Sequence, residues 1–492
     1  MDRPTQLIAI LSHGLTAAAA LAAQEPPQAT VSRLAAVEAA VVSITGAHRD
    51  AIWPGFRPDT IPVLYVVPDA GVLLLNWPAV EPPDGFARIA GVPRAGWQSA
   101  AARSAASTNT SLAGRSAAQV VVFADADDAL LFGTTVHEAF HVFERSRARE
   151  GRRFGSGENS FLVTSYPVFD QRNEAGVAFE GRLLARAVAA RTREELREAA
   201  QEFVAAREAR HRVLGREFAD FEAQAELNEG LAEYALVRAL ELAADDPAFP
   251  WRADAAAEVA HHRARLDSLT SNVSQSLRLR FYLTGPAIGA ILDRLAGPQW
   301  RSALERDDLT LQDELAEASG YRDQERLLLA RAARAVDTAA LAREAGAAIA
   351  RLRAARRAQM DSILARPGLL LTLRADSLPG RGFGLCGFDP QNLLQVDSTV
   401  LLHTRWVRLC GGVSGEFTTA AIQDRDAGTF SAVVGAEDSV RVTAGGNVVT
   451  LREGESLVAT AIKVTAPGAT LEAARALLRR TGRTLEISPL GR

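Results

Sequence analysis

The run Thr134-Thr135-Val136-His137-Glu138-Ala139-Phe140-His141-Val142-Phe143 places two histidines four apart, with a carboxylate directly after the first. On a helix, residues four apart share a face, so His137 and His141 can each offer a ring nitrogen to one metal ion. Glu138 beside them can take a proton from a water that the metal polarises. The chain holds 8 histidines in 492 residues, so their meeting in a run otherwise free of charge is informative. The bland alternative is a hydrogen-bonded helical pair that holds no metal.

A catalytic zinc usually takes three protein ligands and leaves a position for water. Two acidic residues compete for the third place: Glu229 in Glu226-Leu227-Asn228-Glu229-Gly230-Leu231-Ala232-Glu233-Tyr234, and Glu174 in Asn173-Glu174-Ala175. The run N-E-G-L-A-E-Y is similar to the third-ligand helix of gluzincin zinc metallopeptidases and looks most like the N-E-G-x-A segment of zinc aminopeptidases. The triplet at Glu174 resembles the N-E-A of thermolysin-like peptidases. The longer match favours Glu229. The resemblance implies Glu229 as a metal ligand and Glu233, one turn on, as a group that orients a ligating histidine.

Further along, Arg280-Phe281-Tyr282-Leu283-Thr284-Gly285-Pro286-Ala287 contains Y-x-x-G. This looks like the segment that supplies an oxyanion-stabilising tyrosine in zinc aminopeptidases, which implies that role for Tyr282. The competing source of a polarising group is His261-His262. Neighbouring helical residues point apart, so one of the two at most can face a site, and solvent is the default for both. The G-x-M-E-N segment that grips a substrate amino terminus in those enzymes has no counterpart, since the methionines are Met1 and Met360. Exopeptidase and endopeptidase modes both stay open.

The elements that must position these residues follow from hydrophobic periodicity. Thr30 to Ala47 reads as an amphipathic helix with Val31, Leu34, Val37 and Val41 on one side. Ile61 to Val67, Gly71 to Trp77 and Gln119 to Phe123 read as strands, with a polar loop from Ser104 to Ser116. Asp125 to Asp128 supply a start signal for the helix that bears His137. An irregular loop over Phe154 to Asp170 precedes a mainly helical stretch from Asn173 to Leu242. Helices resume at Ala255 and continue to about Ala365. Beyond Pro367 the short apolar runs Leu369 to Leu373, Val400 to Trp406, Phe430 to Val434, Val440 to Thr443 and Asn447 to Leu451 read as strands. Thr470 to Arg480 reads as a late helix, and His403, inside a strand-like run, as structural.

The expected class is therefore α+β: a zincin-like catalytic domain, built of a small sheet and a mostly helical body, and a separate β-rich C-terminal domain. The expected limits are 24–125 for the N-terminal helix and sheet, 126–365 for the helical zinc-binding part and 366–492 for the β-rich domain. Residues 1–23 read as a secretory signal peptide, with Arg3, an apolar stretch from Leu7 to Leu21 and small residues before Gln24. In an exported chain, periplasmic or secreted, the cysteine pair Cys386 and Cys410 suggests a disulfide. No later run reaches the ~20 apolar residues that cross a bilayer.

Net charge is −4, and Lys463 is the single lysine among the basic residues. Arginines spread along helices, as at Arg145 to Arg153 and Arg351 to Arg357, mark solvated faces and give no nucleic-acid footprint. The reading is an exported hydrolase that holds one zinc per chain and cleaves peptide or protein substrates, with Glu138 as general base. Two rivals are a non-catalytic binding protein on a peptidase-like fold and a di-iron carboxylate protein. The second of these needs another E-x-x-H able to face the first across packed helices.

Overall fold

The computed structural model describes residues 26–99, 107–123, 125–266, 269, 277–322, 324–375 and 383–490. The expected signal peptide lies outside the described residues. The chain divides into two compact units: the chain up to Ala47 with Arg57–Val142, and His48–Phe56 with Phe143–Arg492.

The first unit contains helix α1 (Gln28–Ala47), strands β1 (Val63–Val67), β2 (Gly71–Leu75), β3 (Ala87–Arg88), β4 (Gly96–Ser99), β5 (Thr108–Leu112) and β6 (Arg115–Val121), and most of helix α2 (Asp128–Arg147). The strands form one sheet in the order β3-β4-β2-β1-β6-β5, with β1 and β6 parallel and the other pairs antiparallel. Strand β1 alternates between two covered faces. Leu64 and Val66 join Val72, Leu74, Trp77, Phe86, Leu112, Ala117 and Val121 in an apolar cluster. On the other face, the Tyr65 hydroxyl lies 3.0 Å from Thr135 Oγ1 of α2 and donates to Glu38 Oε2 of α1 at 3.4 Å. Helix α1 buries Val31, Leu34, Val37 and Val41, the stripe its periodicity marks. It is also long and apolar enough to cross a membrane by length and composition.

The polar stretch expected to be a loop is in part a hairpin. Strands β5 and β6 pair from Thr108↔Gln119 to Leu112↔Arg115, and Ala113 (φ 46°) with Gly114 (φ 76°) makes the turn. Two successive positive φ values match the twist of the flanking strands, which is how a two-residue connection closes a hairpin even without an apolar pattern. Strand β6 accordingly starts four residues earlier than its apolar run suggests.

The second unit holds α3 (Gln171–Ala189), α4 (Arg193–Leu214), α5 (Arg216–Ala225), a π-helical turn (Glu226–Gly230), α6 (Leu231–Asp245), α7 (Arg252–Arg265), α8 (Phe281–Leu295), α9 (Trp300–Asp307), α10 (Leu311–Ser319), α11 (Glu325–Ala335) and α12 (Thr338–Leu364). Strands follow: β7 (Leu370–Arg374), β8 (Phe383–Phe388), β9 (Leu393–Gln395), β10 (Val400–His403), β11 (Val407–Gly411), β12 (Val413–Phe417), β13 (Ala421–Asp424), β14 (Thr429–Val433), β15 (Arg441–Ala444), β16 (Asn447–Val448), β17 (Ser456–Ala466), β18 (Ala469–Thr481) and β19 (Thr484–Pro489). The protein is thus mixed helix and sheet, helical in its body and β-rich toward the C-terminus. The apolar core of the strands is continuous with residues before them in the chain, since Tyr166 of the loop preceding α3 and the helical Phe221, Ala225 and Phe281 join Leu371, Leu373, Phe417, Phe430 and Leu471 in one cluster.

Thr470 to Arg480 corrects the expectation of a late helix: it lies within β18, paired with β17 on one side and β19 on the other. Its Ala, Leu, Glu and Arg are good helix formers, yet two neighbouring ladders satisfy its backbone. Leu471, Ala473, Ala476 and Leu478 are buried. Propensity is a weak prior, and tertiary pairing overrides it here.

Cys386 on β8 and Cys410 on β11 are at disulfide distance, with Cα atoms 5.9 Å apart on adjacent strands. His403 is buried between Phe388 and Phe430, and burial pushes its pKa down to about 4 against the hydrogen bond to Gln423. It is a neutral core residue.

Candidate metal centre

Helix α2 starts where Asp127 Oδ1 accepts from the Leu130 backbone N–H at 2.7 Å. Asp128 follows in the first turn, held by Arg33 Nε of α1 at 2.6 Å, and Arg145 and Arg147 occupy the last turn. These charges complement the helix dipole at both ends. The interior between them is buried: His137, Glu138 and His141 are 5%, 6% and 7% exposed. The two histidines turn their Nε2 atoms toward each other, 3.1 Å apart. Ligand atoms at ~2.0–2.1 Å from a tetrahedral ion stand roughly 3.3 Å apart, so this spacing suits two nitrogens on one metal.

Glu229 completes the group. One ligand atom from each of His137, His141 and Glu229 lies within 4.8 Å of the others, and all three residues are buried. The other expected candidate, Glu174, is engaged elsewhere: it accepts from Arg280 and from Asn173 Nδ2 and is not in this group.

Glu229 sits in the π turn between α5 and α6, where the Leu231 N–H bonds to the Glu226 carbonyl five residues back. Such turns insert a residue into a helix and are frequent at functional sites. Four buried carboxylates, Glu222, Glu226, Glu229 and Glu233, recur along this helix, and each meets a basic side chain. Arg210 grips Glu222 through two nitrogens at 2.8 and 2.6 Å, with His211 Nε2 at 2.8 Å. Burial alone would raise the Glu222 carboxyl, but Arg210 outweighs it and holds the group well below the usual carboxylate range. Arg207 Nη1 donates to both oxygens of Glu226 at 2.8 Å, and Thr284 of α8 adds a third bond at 2.5 Å. Glu233 lies 3.4 Å from His262 Nδ1.

Glu229 itself accepts from Arg278 on Oε1 and from the Tyr282 hydroxyl on Oε2. Burial pulls the Arg278 guanidinium down, but Glu229 and Glu158 more than offset this and keep it charged. Arg278 also pairs with Glu158 at 2.7 Å, and Asn228 Nδ2 donates to Glu158 at 2.5 Å. Helix α8 comes so close to the π turn that a methyl group added at Gly285 would collide with the Gly230 backbone.

The structure therefore places Tyr282 on the Glu229 carboxylate and Glu233 beside His262. His262 turns inward while His261 is exposed, which corrects the default of solvent for both. Arg278 and Glu158 escape the sequence reading. Their nearest signals are weak: an arginine four residues before Tyr282, and a glutamate just after Gly155-Ser156-Gly157 in the irregular loop.

No protein-family model, curated protein or solved structure matches this chain. What the site can do rests on its own residues and geometry.

Proposed function

We propose that the protein is an exported, single-zinc metallopeptidase-like hydrolase of the gluzincin kind, with His137, His141 and Glu229 as the metal ligands. The observation that carries this reading is the buried group of two imidazoles and one carboxylate with converging ligand atoms. Two nitrogens and one oxygen form a donor set that suits zinc, and three protein ligands leave room for a water. The disulfide-distance cysteines and the apolar N-terminal helix are compatible with export.

A zinc ion held there would supply Lewis acidity to a water and to a substrate carbonyl. Glu138, next to His137 and buried, takes the proton as the water attacks a peptide carbonyl and returns it to the leaving amine. Tyr282, whose hydroxyl already bonds a ligand carboxylate, is assigned to donate to the oxyanion. Glu233 is assigned to orient a ligating histidine, and peptides or proteins are the substrates.

Metal analysis of the purified full chain, together with a broad peptide-library assay, tests the reading. One zinc per chain with cleavage is expected, and His137→Ala, His141→Ala and Glu229→Ala should each release the metal while Glu174→Ala keeps it. Iron without cleavage, or zinc kept by Glu229→Ala and lost from Glu174→Ala, would defeat it.

A further inference from the structure

We infer that Arg278 lowers the affinity of the His137, His141 and Glu229 group for a divalent cation by competing for Glu229, and that Glu158 limits this competition by sharing the same guanidinium. The inference rests on the metal-site reading above. Arg278 lies in the 3-10 turn Leu277–Arg280 directly before α8. Its Nη2 serves both carboxylates, donating to Glu229 Oε1 and lying 2.7 Å from Glu158 Oε1. Its buried Nε has no hydrogen-bond partner among the described residues.

An arginine kept to brace one carboxylate presents its planar fork and makes two parallel bonds. Arg210 makes such a pair with Glu222, two turns earlier on the same helix row, through Nη1 and Nη2 and also engages Glu180 through Nε and Nη2. Arg278 divides Nη2 between Glu229 and Glu158 and, unlike Arg210, adds no bond from Nε to either carboxylate. The arrangement is one of partition rather than bracing. Arg278, Glu158 and Glu229 have side chains 10%, 3% and 7% exposed, so their charges interact with little screening from bulk water.

A divalent cation that takes a lone pair of Glu229 meets a like charge within hydrogen-bonding reach of the same carboxylate. Glu158 offers the displaced nitrogen an acceptor that it already touches, and Asn228, the residue before the ligand, holds Glu158 in place. Removing the guanidinium therefore takes a positive charge from beside the cation and frees a carboxylate oxygen, and both effects tighten metal binding. Groups that merely orient a ligand act with the opposite sign: losing one typically weakens metal affinity by about 10- to 100-fold.

Zinc affinity of the full chain, measured by competition with a chromophoric chelator, decides the matter. Arg278→Gln should bind zinc about tenfold more tightly than the unmodified protein and Glu158→Gln about tenfold more weakly. In the Arg278→Gln background, Glu158→Gln should change affinity by less than about threefold, because Glu158 acts through Arg278. The rise in Tm on adding zinc should be larger for Arg278→Gln than for the unmodified chain. Equal or weaker zinc binding by Arg278→Gln, or fully additive effects in the double variant, overturns the inference. Should Arg278→Gln not fold, the near-isosteric Glu158→Gln decides alone, and unchanged or tighter binding overturns it. An unmodified protein that binds no zinc removes the metal-site reading itself, a result distinct from a wrong sign in the variants.

Discussion

The Tyr282 phenol donates to Glu229 Oε2 while Arg278 donates to Oε1, so the carboxylate carries a donor on each oxygen. The phenol is thereby tied to a member of the candidate metal group. Tyr282→Phe keeps the ring and its packing, so fold and zinc content should persist. If the phenol turns onto the oxyanion during reaction, kcat should fall by on the order of 10²- to 10³-fold with little change in KM. A kcat within about twofold of the unmodified value would restrict Tyr282 to holding Glu229 and make His262 the next residue to test.

Glu138→Gln separates proton transfer from metal binding. The amide preserves size but accepts no proton, so zinc content should stay at one per chain while peptide turnover falls by on the order of 10²- to 10⁴-fold. Undiminished turnover in this variant rules the proposed general base out.

Glu38 should make stability depend on pH. Burial pushes its carboxyl up to about 7, against the Tyr65 hydrogen bond and Arg94. A group whose pKa is raised on folding contributes stability that is fully present below its unfolded pKa, near ~4.3, and lost as pH rises through the folded value. The loss runs from there to about pH 7 and amounts to about 3 kcal/mol as an order of magnitude. Glu38→Gln should remove this slope, so the variant gains on the parent as pH rises. Parallel unfolding curves for the two proteins between pH 5 and pH 8 would refute this assignment.

Cys386 and Cys410 join β8 and β11 over a sequence separation of 24. Protein from an oxidising compartment should show no free thiol when labelled in denaturant without reductant. Reduction should lower unfolding free energy by about 2–4 kcal/mol and leave zinc content unchanged. Two reactive thiols in exported material would overturn the pairing.

Local spacing explains what was legible. His137 and His141 need one helical turn to meet, so five letters of sequence suffice to mark them. The strands at β1, β2, β7 and β14 announce themselves by apolar runs between turn residues. Glu229 is legible through the string around it, whereas its partners are not. Arg278 is one of many arginines in a chain with a single lysine, and Glu158 reaches it from a distant loop. Strand β18 misleads because its residues prefer a helix in isolation and take strand form from neighbours on both sides. Strand β5 is polar, and its place in the sheet depends on the geometry of two turn residues.

The parallel pairing of β7 with β19 has a consequence for the order of events during synthesis. Strand β7 lies between β14 and β19, with Leu370↔Thr484 and Leu373↔Ile487 in register. It leaves the ribosome long before β19 exists, so one of its two ladders must wait. Until then Leu371 and Leu373 belong to an open sheet edge, the kind of template that pairs with other chains. Contacts so far apart in sequence also form slowly. A chain that ends before Thr484 would thus keep the whole candidate metal group and carry a sticky margin, and slow translation through the β-rich region would lengthen the exposure of that margin.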